Sequence, residues 1–207
     1  SAMALYRPGV DTPENHKYAD TAVDAFKKYL AAFQNDQKVE EYLITTLIND
    51  KKYVEALSRL KTQAQKDPNK PGVDGVIVAT LTRADRLEEA YEWSKKRPDP
   101  TIFYGIAVAA WDKAYNDSML DKVGRGKFVE LGLAAAQLSL RLKPDYYEAM
   151  TYYNLLFREQ AKLEDDPLKA QEWYAKAEEW RDKAIAARDA QAKKEAAAAA
   201  AAAKTGS

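Results

Sequence analysis

The sequence contains no cysteine and only one histidine, His16. The lack of cysteine excludes disulfides, thiol nucleophiles and cysteine-based zinc sites. His16 has Asp20 as its only ligand-type neighbour at helical spacing, so we interpret it as a helix-surface residue. Adjacent acidic residues such as Glu88 and Glu89 could in principle act as an acid–base pair. We interpret them instead as part of a solvated helix face or cap. We therefore expect no catalytic residue, no metal site and no cofactor, and the chain is not predicted to be an enzyme.

An excess of charge is also missing, because Lys and Arg together number 32 and Asp and Glu together also number 32. Duplex nucleic-acid binders normally carry a basic excess, so no nucleic-acid partner is expected. No apolar run approaches the ~20 residues of a membrane-spanning helix. The opening Ser1-Ala2-Met3 resembles an expression-vector scar, so a native export signal can have been removed. An exported, periplasmic location and a cytoplasmic one both stay open, as does the oligomeric state.

Glycine and proline are scarce, with eight of each. The prolines fall between segments in which apolar residues recur every three or four positions, and proline is tolerated in the first turn of a helix but ends a preceding one. No segment alternates polar and apolar residues for long enough to predict a strand. The predicted class is all-α, with helices at about 14–34, 37–49, 51–66, 72–83, 85–96, 100–116, 126–142, 145–163 and 167–195.

A repeat is visible among these helices. The segments "KKYVEALSRLKTQAQKDP" (51–68), "DRLEEAYEWSKKRP" (85–98), "VELGLAAAQLSLRLKP" (129–144) and "PLKAQEWYAKAEEW" (167–180) align, and Ala56 and Ala90 stand 34 residues apart. This pattern resembles the tetratricopeptide repeat, whose unit has about that length and pairs a small residue with a large one. Gly105 alone keeps the glycine of the motif. The last repeats resemble those of uncharacterised acidobacterial-type tetratricopeptide-repeat proteins.

The resemblance implies an α-solenoid of about four antiparallel helix pairs, with an extra helix before them and a long helix at the end. We expect the solenoid to occupy 14–190, preceded by a scar and N-terminal arm at 1–13 and followed by an alanine-rich tail at 191–207. The segment 116–128, which contains Gly124 and Gly126, is predicted to be a protruding loop. Met150, Tyr153 and Phe157 are predicted to pack between helices, whereas Tyr146 and Tyr147 are candidates for a partner contact.

The resemblance also implies a function: the first helix of each pair lines a concave groove that binds a protein or peptide segment. The charged clamp with which some family members hold a terminal carboxylate is absent here, and the small apolar middle of the lining suits an extended peptide or a helix. The predicted function is a non-catalytic scaffold or adaptor, and the alternative is a solenoid that binds a glycan or another small molecule. The predicted groove residues are Lys38, Glu41, Thr45, Asn49, Thr82, Arg83, Ile102, Ile106, Thr151, Leu155 and Arg158.

Overall fold

The computed structural model describes residues 2–205, and within that range every regular element is a helix. The bounds agree with the sequence prediction to within a few residues for most helices. The helices are α1 (Ala2–Leu5), α2 (Pro13–Ala32), α3 (Gln37–Asn49), α4 (Tyr53–Lys66), α5 (Val73–Arg83), α6 (Leu87–Ser94), α7 (Pro100–Asn116), α8 (Lys122–Leu142), α9 (Tyr147–Leu163) and α10 (Pro167–Thr205).

Short polar side chains set where several of these helices begin. Thr12 accepts a hydrogen bond from the backbone N–H of Asn15 at the start of α2, and Asp36 accepts one from Val39 at the start of α3. At the start of α7, Asp99 accepts from two backbone N–H groups and Pro100 follows it directly. Such caps satisfy N–H groups that have no partner inside the helix, and proline in the first turn loses no hydrogen bond.

The prediction of a protruding loop over 116–128 is wrong, because α8 already begins at Lys122. Asp121 caps this helix, and its Oδ1 lies 2.7 Å from the backbone nitrogen of Gly124. Gly124 and Gly126 therefore lie in the first turns of α8. Glycine disfavours a helix interior by only about 1 kcal/mol, which a cap and tertiary packing offset.

The 34-residue period appears as a repeated backbone turn. Lys51 and Asp85 are both left-handed, with φ values of 59° and 60°, and they follow α3 and α5 respectively. In both turns the next residue closes the helix: the N–H of Lys52 donates to the carbonyl of Leu47, and that of Arg86 donates to Leu81. This left-handed closure satisfies the free carbonyls at a helix end.

The chain divides into two compact units, the first ending at Arg86 and the second beginning at Leu87. In the first unit, each helix from α1 to α5 packs against the next along the chain. Its core joins Val23 of α2 to Leu43 and Leu47 of α3 and Ala56 of α4. The small side chain of Ala56 lets α4 approach α3, as the repeat pattern predicts.

In the second unit, α7, α8 and α9 pack against one another, and α10 packs along α9. The predicted packing residues Met150 and Phe157 are buried, and Tyr153 is half-buried with its ring 4.9 Å from that of Trp180. Tyr146, a candidate for a partner contact, is instead buried with its ring 5.2 Å from that of Tyr104. Its side chain therefore belongs to the core of the unit.

A close approach between helices in this unit depends on Gly132 of α8. A Cβ atom built on Gly132 would lie 2.6 Å from Cδ2 of Leu156 and 3.2 Å from Cβ of Ala110. The same construction on Gly105, which keeps the glycine of the repeat motif, meets no atom within 4 Å. The glycine that permits close packing is therefore Gly132, and the motif glycine faces open space.

None of the helices within 2–205 combines the length and the apolar character that crossing a membrane requires. The longest, α10, extends into the alanine-rich tail, and its residues are exposed from Arg188 to Ala202. Alanine has the highest helix propensity, which explains why the helix continues beyond the part that packs on α9.

Candidate binding surfaces

Two of the predicted groove residues, Glu41 and Thr45, meet at a surface pocket in the first unit. The pocket has a volume of about 230 Å³ and lies among α3, the end of α4 and the start of α5. Glu41 and Thr45 are one helical turn apart on α3 and both are exposed. The remaining lining consists of Ile44, Leu60, Gln63, Lys70, Pro71, Gly72, Val73 and Val76.

This pocket has an apolar interior and a polar rim. Ile44, Leu60 and Val73 are buried, while the side chain of Val76 is 41% exposed at the opening. At the rim, the ammonium of Lys70 lies 3.9 Å from a carboxylate oxygen of Glu41. An apolar pocket with a few polar groups around it is typical of a site for one apolar side chain of a partner.

The other predicted groove residues of the first unit do not line this pocket. Lys38 and Arg83 are exposed, and Asn49 is half-buried at the end of α3. Thr82 is half-buried, and its hydroxyl donates to the carbonyl of Val78 at 2.9 Å, which satisfies it within its own helix.

In the second unit, one of the predicted groove residues is buried and another is already paired within the chain. Ile106 is 1% exposed and belongs to the core, so its prediction as a groove residue is wrong. Arg158 forms an ion pair with Glu178 of α10, and its Nε donates to Asn154 at 3.0 Å. Arg158 is paired in this way because α10 covers part of α9. The sequence analysis had placed this side chain in the groove. Thr151 is exposed, and Ile102 and Leu155 are half-buried.

A wider cleft in the first unit was not predicted from the sequence. Its volume is about 520 Å³, and it lies between the α2–α3 turn and the later part of α4. Every lining side chain is polar. The lining residues are Gln34, Asn35, Asp36, Gln37, Glu40, Ser58, Arg59, Thr62, Gln63, Lys66, Asp67 and Lys70.

A pair of aromatic rings stands beside this cleft. Tyr29 and Phe33 lie one turn apart at the end of α2, with ring centroids 4.8 Å apart. They are 42% and 60% exposed respectively. The hydroxyl of Tyr29 donates to Asp36, which lines the cleft, at 3.1 Å. An aromatic pair at i and i+4 followed by "QNDQ" was the sequence signal that could have identified this surface.

A third crevice, of about 390 Å³, lies in the second unit and has a basic lining. Its cations already have partners: Lys122 pairs with Asp165, Lys162 lies 2.6 Å from Glu159, and Arg125 donates to backbone carbonyls at the C-terminal end of α7 and just after it. The geometry explains how the ends of α7, α8 and α9 are held together.

His16 belongs to a network of charges that the sequence did not reveal. Its Nδ1 lies 2.6 Å from Oδ1 of Asp50 and its Nε2 lies 2.9 Å from Oδ1 of Asp11. Lys51 pairs with Asp11, and Lys52 lies 2.8 Å from Asp50. The network connects the arm before α2 with the turn between α3 and α4.

The hydrogen bond with Asp11, and then that with Asp50, raises the pKa of His16. The hydrogen bond from Lys51, and then that from His16, lowers the pKa of Asp11 to about 2. Both shifts favour the charged pair, so the network is a structural link between chain segments. In the described part of the chain, His16 and the acidic residues form no group suited to a metal ion.

Taken together, the helical hairpins, the 34-residue turn and the small residues at helix contacts define an all-α fold of the tetratricopeptide-repeat type, a helical solenoid of paired helices. The chain is similar to a crystal structure of MamA protein, with 15% identity, a TM-score of 0.53, and coverage of 84% of this chain and 85% of that one. Another crystal structure of MamA aligns over 91% of this chain and 99% of its own at 18% identity, but its TM-score of 0.48 is too low to support the fold. No protein-family model and no curated protein matches the sequence.

Proposed function

We propose that the protein is a non-catalytic interaction scaffold that binds a peptide or an exposed segment of another protein. The observation that carries this proposal is the pocket that contains Glu41 and Thr45. Helical repeats bury their apolar faces against neighbouring helices, so an apolar pocket left open on the surface is an exception that suggests a partner.

The lining of the pocket indicates what the partner segment contains. The buried side chains of Ile44, Leu60 and Val73 suit one aliphatic side chain, since about 230 Å³ leaves no room for a larger group of residues. Thr45 and Gln63 offer hydrogen-bonding groups to the main chain on either side of that anchor. This arrangement is typical of peptide recognition, in which apolar anchors supply affinity and polar groups orient the ligand.

We test this with a library of displayed peptides selected on the immobilised protein. We expect selected peptides to share one aliphatic residue, and Val76→Asp to weaken their binding because it places a carboxylate at the apolar opening. Val54→Asp is the matched control, because Val54 is 80% exposed on α4 and does not line the pocket. Circular dichroism checks that both variants keep their helical content.

Equal binding of the selected peptides to the wild type and to Val76→Asp would show that this pocket is not the site. Loss of binding in both variants would indicate a general effect of added charge. The exposed groove residues Lys38, Thr151 and Arg83 are tested in the same assay as Glu substitutions. A partner that contacts them loses affinity, whereas a partner confined to the pocket does not.

A further inference from the structure

The wide polar cleft beside Tyr29 and Phe33 contains several charges that are already neutralised within the protein. Arg59 donates to both carboxylate oxygens of Glu40, each at 3.0 Å. Asp36 accepts from the N–H of Val39 and from the hydroxyl of Tyr29. The lining contains three basic residues, Arg59, Lys66 and Lys70, and three acidic ones, Asp36, Glu40 and Asp67, so it carries no net charge. The lining as a whole therefore gives no net electrostatic attraction to a charged ligand.

The cleft also contains neutral groups that are available to a ligand. Within the described residues, the side-chain amides of Gln34, Asn35, Gln37 and Gln63 make no hydrogen bond. Each primary amide offers both a donor and an acceptor. A hydroxyl group also donates one hydrogen bond and accepts others, so a row of amides matches a ligand that carries several hydroxyls.

The aromatic pair supplies an apolar surface at one edge of the same cleft. The link is direct, because Tyr29 donates to Asp36 and because Phe33 is followed in the chain by Gln34. A sugar ring has hydroxyls around its edge and C–H groups on its faces. It can therefore stack on an exposed aromatic ring while its hydroxyls bond to amides, and aromatic faces attract the weakly positive hydrogens of such groups.

From this combination we propose that the cleft binds a neutral oligosaccharide, with one sugar ring on Phe33 and the next residues along Gln34, Gln37 and Gln63. A volume of about 520 Å³ lies within the usual range for ligand sites and leaves the ends of a longer chain free. The hydrogen bonds between Arg59 and Glu40 hold the cleft wall in place before binding, which reduces the entropy lost on association.

This site adjoins the peptide pocket, and Gln63 and Lys70 line both. Its proposal does not depend on peptide binding. Val76→Asp, which alters the peptide pocket, is expected to leave sugar binding unchanged, and Phe33→Ala is expected to leave peptide binding unchanged. Failure of one function is thus distinguished from failure of the other.

The experiment titrates three neutral trisaccharides, cellotriose, maltotriose and tri-N-acetylchitotriose, into the full chain and measures binding by isothermal calorimetry and saturation-transfer NMR. Tryptophan fluorescence is unsuitable, because the first tryptophan in the sequence is Trp93, beyond the unit that contains the cleft. We expect at least one probe to bind in the millimolar range or tighter. Saturation transfer from aromatic protons of the protein is expected to reach the sugar ring hydrogens.

Three variants locate the site. Phe33→Ala is expected to weaken binding by about three- to tenfold through loss of stacking, and Phe33→Tyr to retain it. Tyr174→Ala removes an exposed aromatic side chain from α10, in the other unit, and is the control. Gln37→Ala and Gln63→Ala each remove one amide and are expected to weaken binding by a smaller factor.

The proposal is overturned if none of the three sugars binds, or if Phe33→Ala binds as the wild type does. It is also overturned if an acetylated pentaalanine amide binds in a Phe33-dependent way while the sugars do not, since the cleft would then recognise a peptide backbone. Stronger binding of an anionic trigalacturonate than of all three neutral sugars would contradict the argument from charge.

Discussion

The imidazole Nδ1 of His16 on α2 lies 2.6 Å from Oδ1 of Asp50, which follows α3. The carboxylate of Asp50 is almost fully buried and also lies 2.8 Å from the ammonium of Lys52. A buried carboxylate requires such partners, because desolvation without them is costly. His16 therefore contributes to the attachment of α2 and the preceding arm to the α3–α4 turn.

This contact predicts a pH dependence for the N-terminal arm. The pKa of His16 is raised in the folded protein, chiefly by the hydrogen bond with Asp11 and then by that with Asp50. Its stabilising effect is therefore complete below the unfolded-state pKa of about 6.5, and is lost as the pH rises through the higher folded-state pKa. We therefore expect backbone amide hydrogens in residues 6–12 to exchange faster as the pH rises through that pKa. The exchange rates are first corrected for their intrinsic pH dependence.

The His16→Gln variant is the control for this prediction. Glutamine does not titrate, so its arm is expected to exchange with the same corrected rate across that interval. Asp11 acts in the opposite sense: its pKa is lowered to about 2, so its contribution is present above about pH 4 and is lost as the pH falls toward 2. A wild-type arm whose corrected exchange is insensitive to pH would contradict the proposed link.

A second prediction concerns Gly132 and Gly105. We expect Gly132→Ala to lower the free energy of unfolding by about 1–3 kcal/mol, because its Cβ would overlap the fully buried side chain of Leu156. Gly105→Ala meets no neighbour, so the better helix propensity of alanine should raise stability by up to about 1 kcal/mol. Chemical denaturation of the two variants measures the difference, and equal stabilities would show that α8 can shift to admit the methyl group.

The helix boundaries could be predicted because their signals are local. Asp99 and Pro100, for example, lie next to each other in the sequence and begin α7 as expected. The packing role of Gly132 could not be predicted in this way, since it depends on Leu156 and Ala110 in two other helices. The repeat motif instead pointed to Gly105, whose position the structure leaves open.

For the candidate sites, too, the sequence predicted relationships within one helix but not contacts between helices. Glu41 and Thr45 are one turn apart on one helix, so the sequence could place them on a common face. The prediction for Ile106 was wrong because burial depends on how helices pack within the unit, and the ion pair of Arg158 depends on α10 lying along α9. The partners of His16 are likewise remote, as Asp50 is 34 residues away.

The cap of α7 provides a third prediction. Asp99 Oδ1 accepts from the backbone nitrogens of Thr101 at 2.7 Å and Ile102 at 3.2 Å. Asp99→Ala leaves these groups without a cap and is expected to cost about 0.5–2 kcal/mol, whereas Asp99→Asn retains an acceptor and should cost less. Urea denaturation measures the free energy of unfolding of each variant. If Asp99→Asn lost as much stability as Asp99→Ala, the charge of Asp99 rather than its cap geometry would stabilise this end of α7.

The alanine-rich end of α10 provides the last prediction. From Arg188 to Ala202 the side chains are exposed, so this part of the helix adds little burial to the second unit. We expect removal of residues 196–207 to reduce the helical circular dichroism signal while leaving the midpoint of thermal unfolding unchanged. Alanine propensity and continuity with the packed part of α10 account for the helix here, and neither contributes to the core.

Truncation after Lys176 is the matched comparison, since it removes the buried side chains of Ala177 and Ala184 and should lower the midpoint. A lowered midpoint after the shorter truncation would instead show that the tail contacts the folded unit.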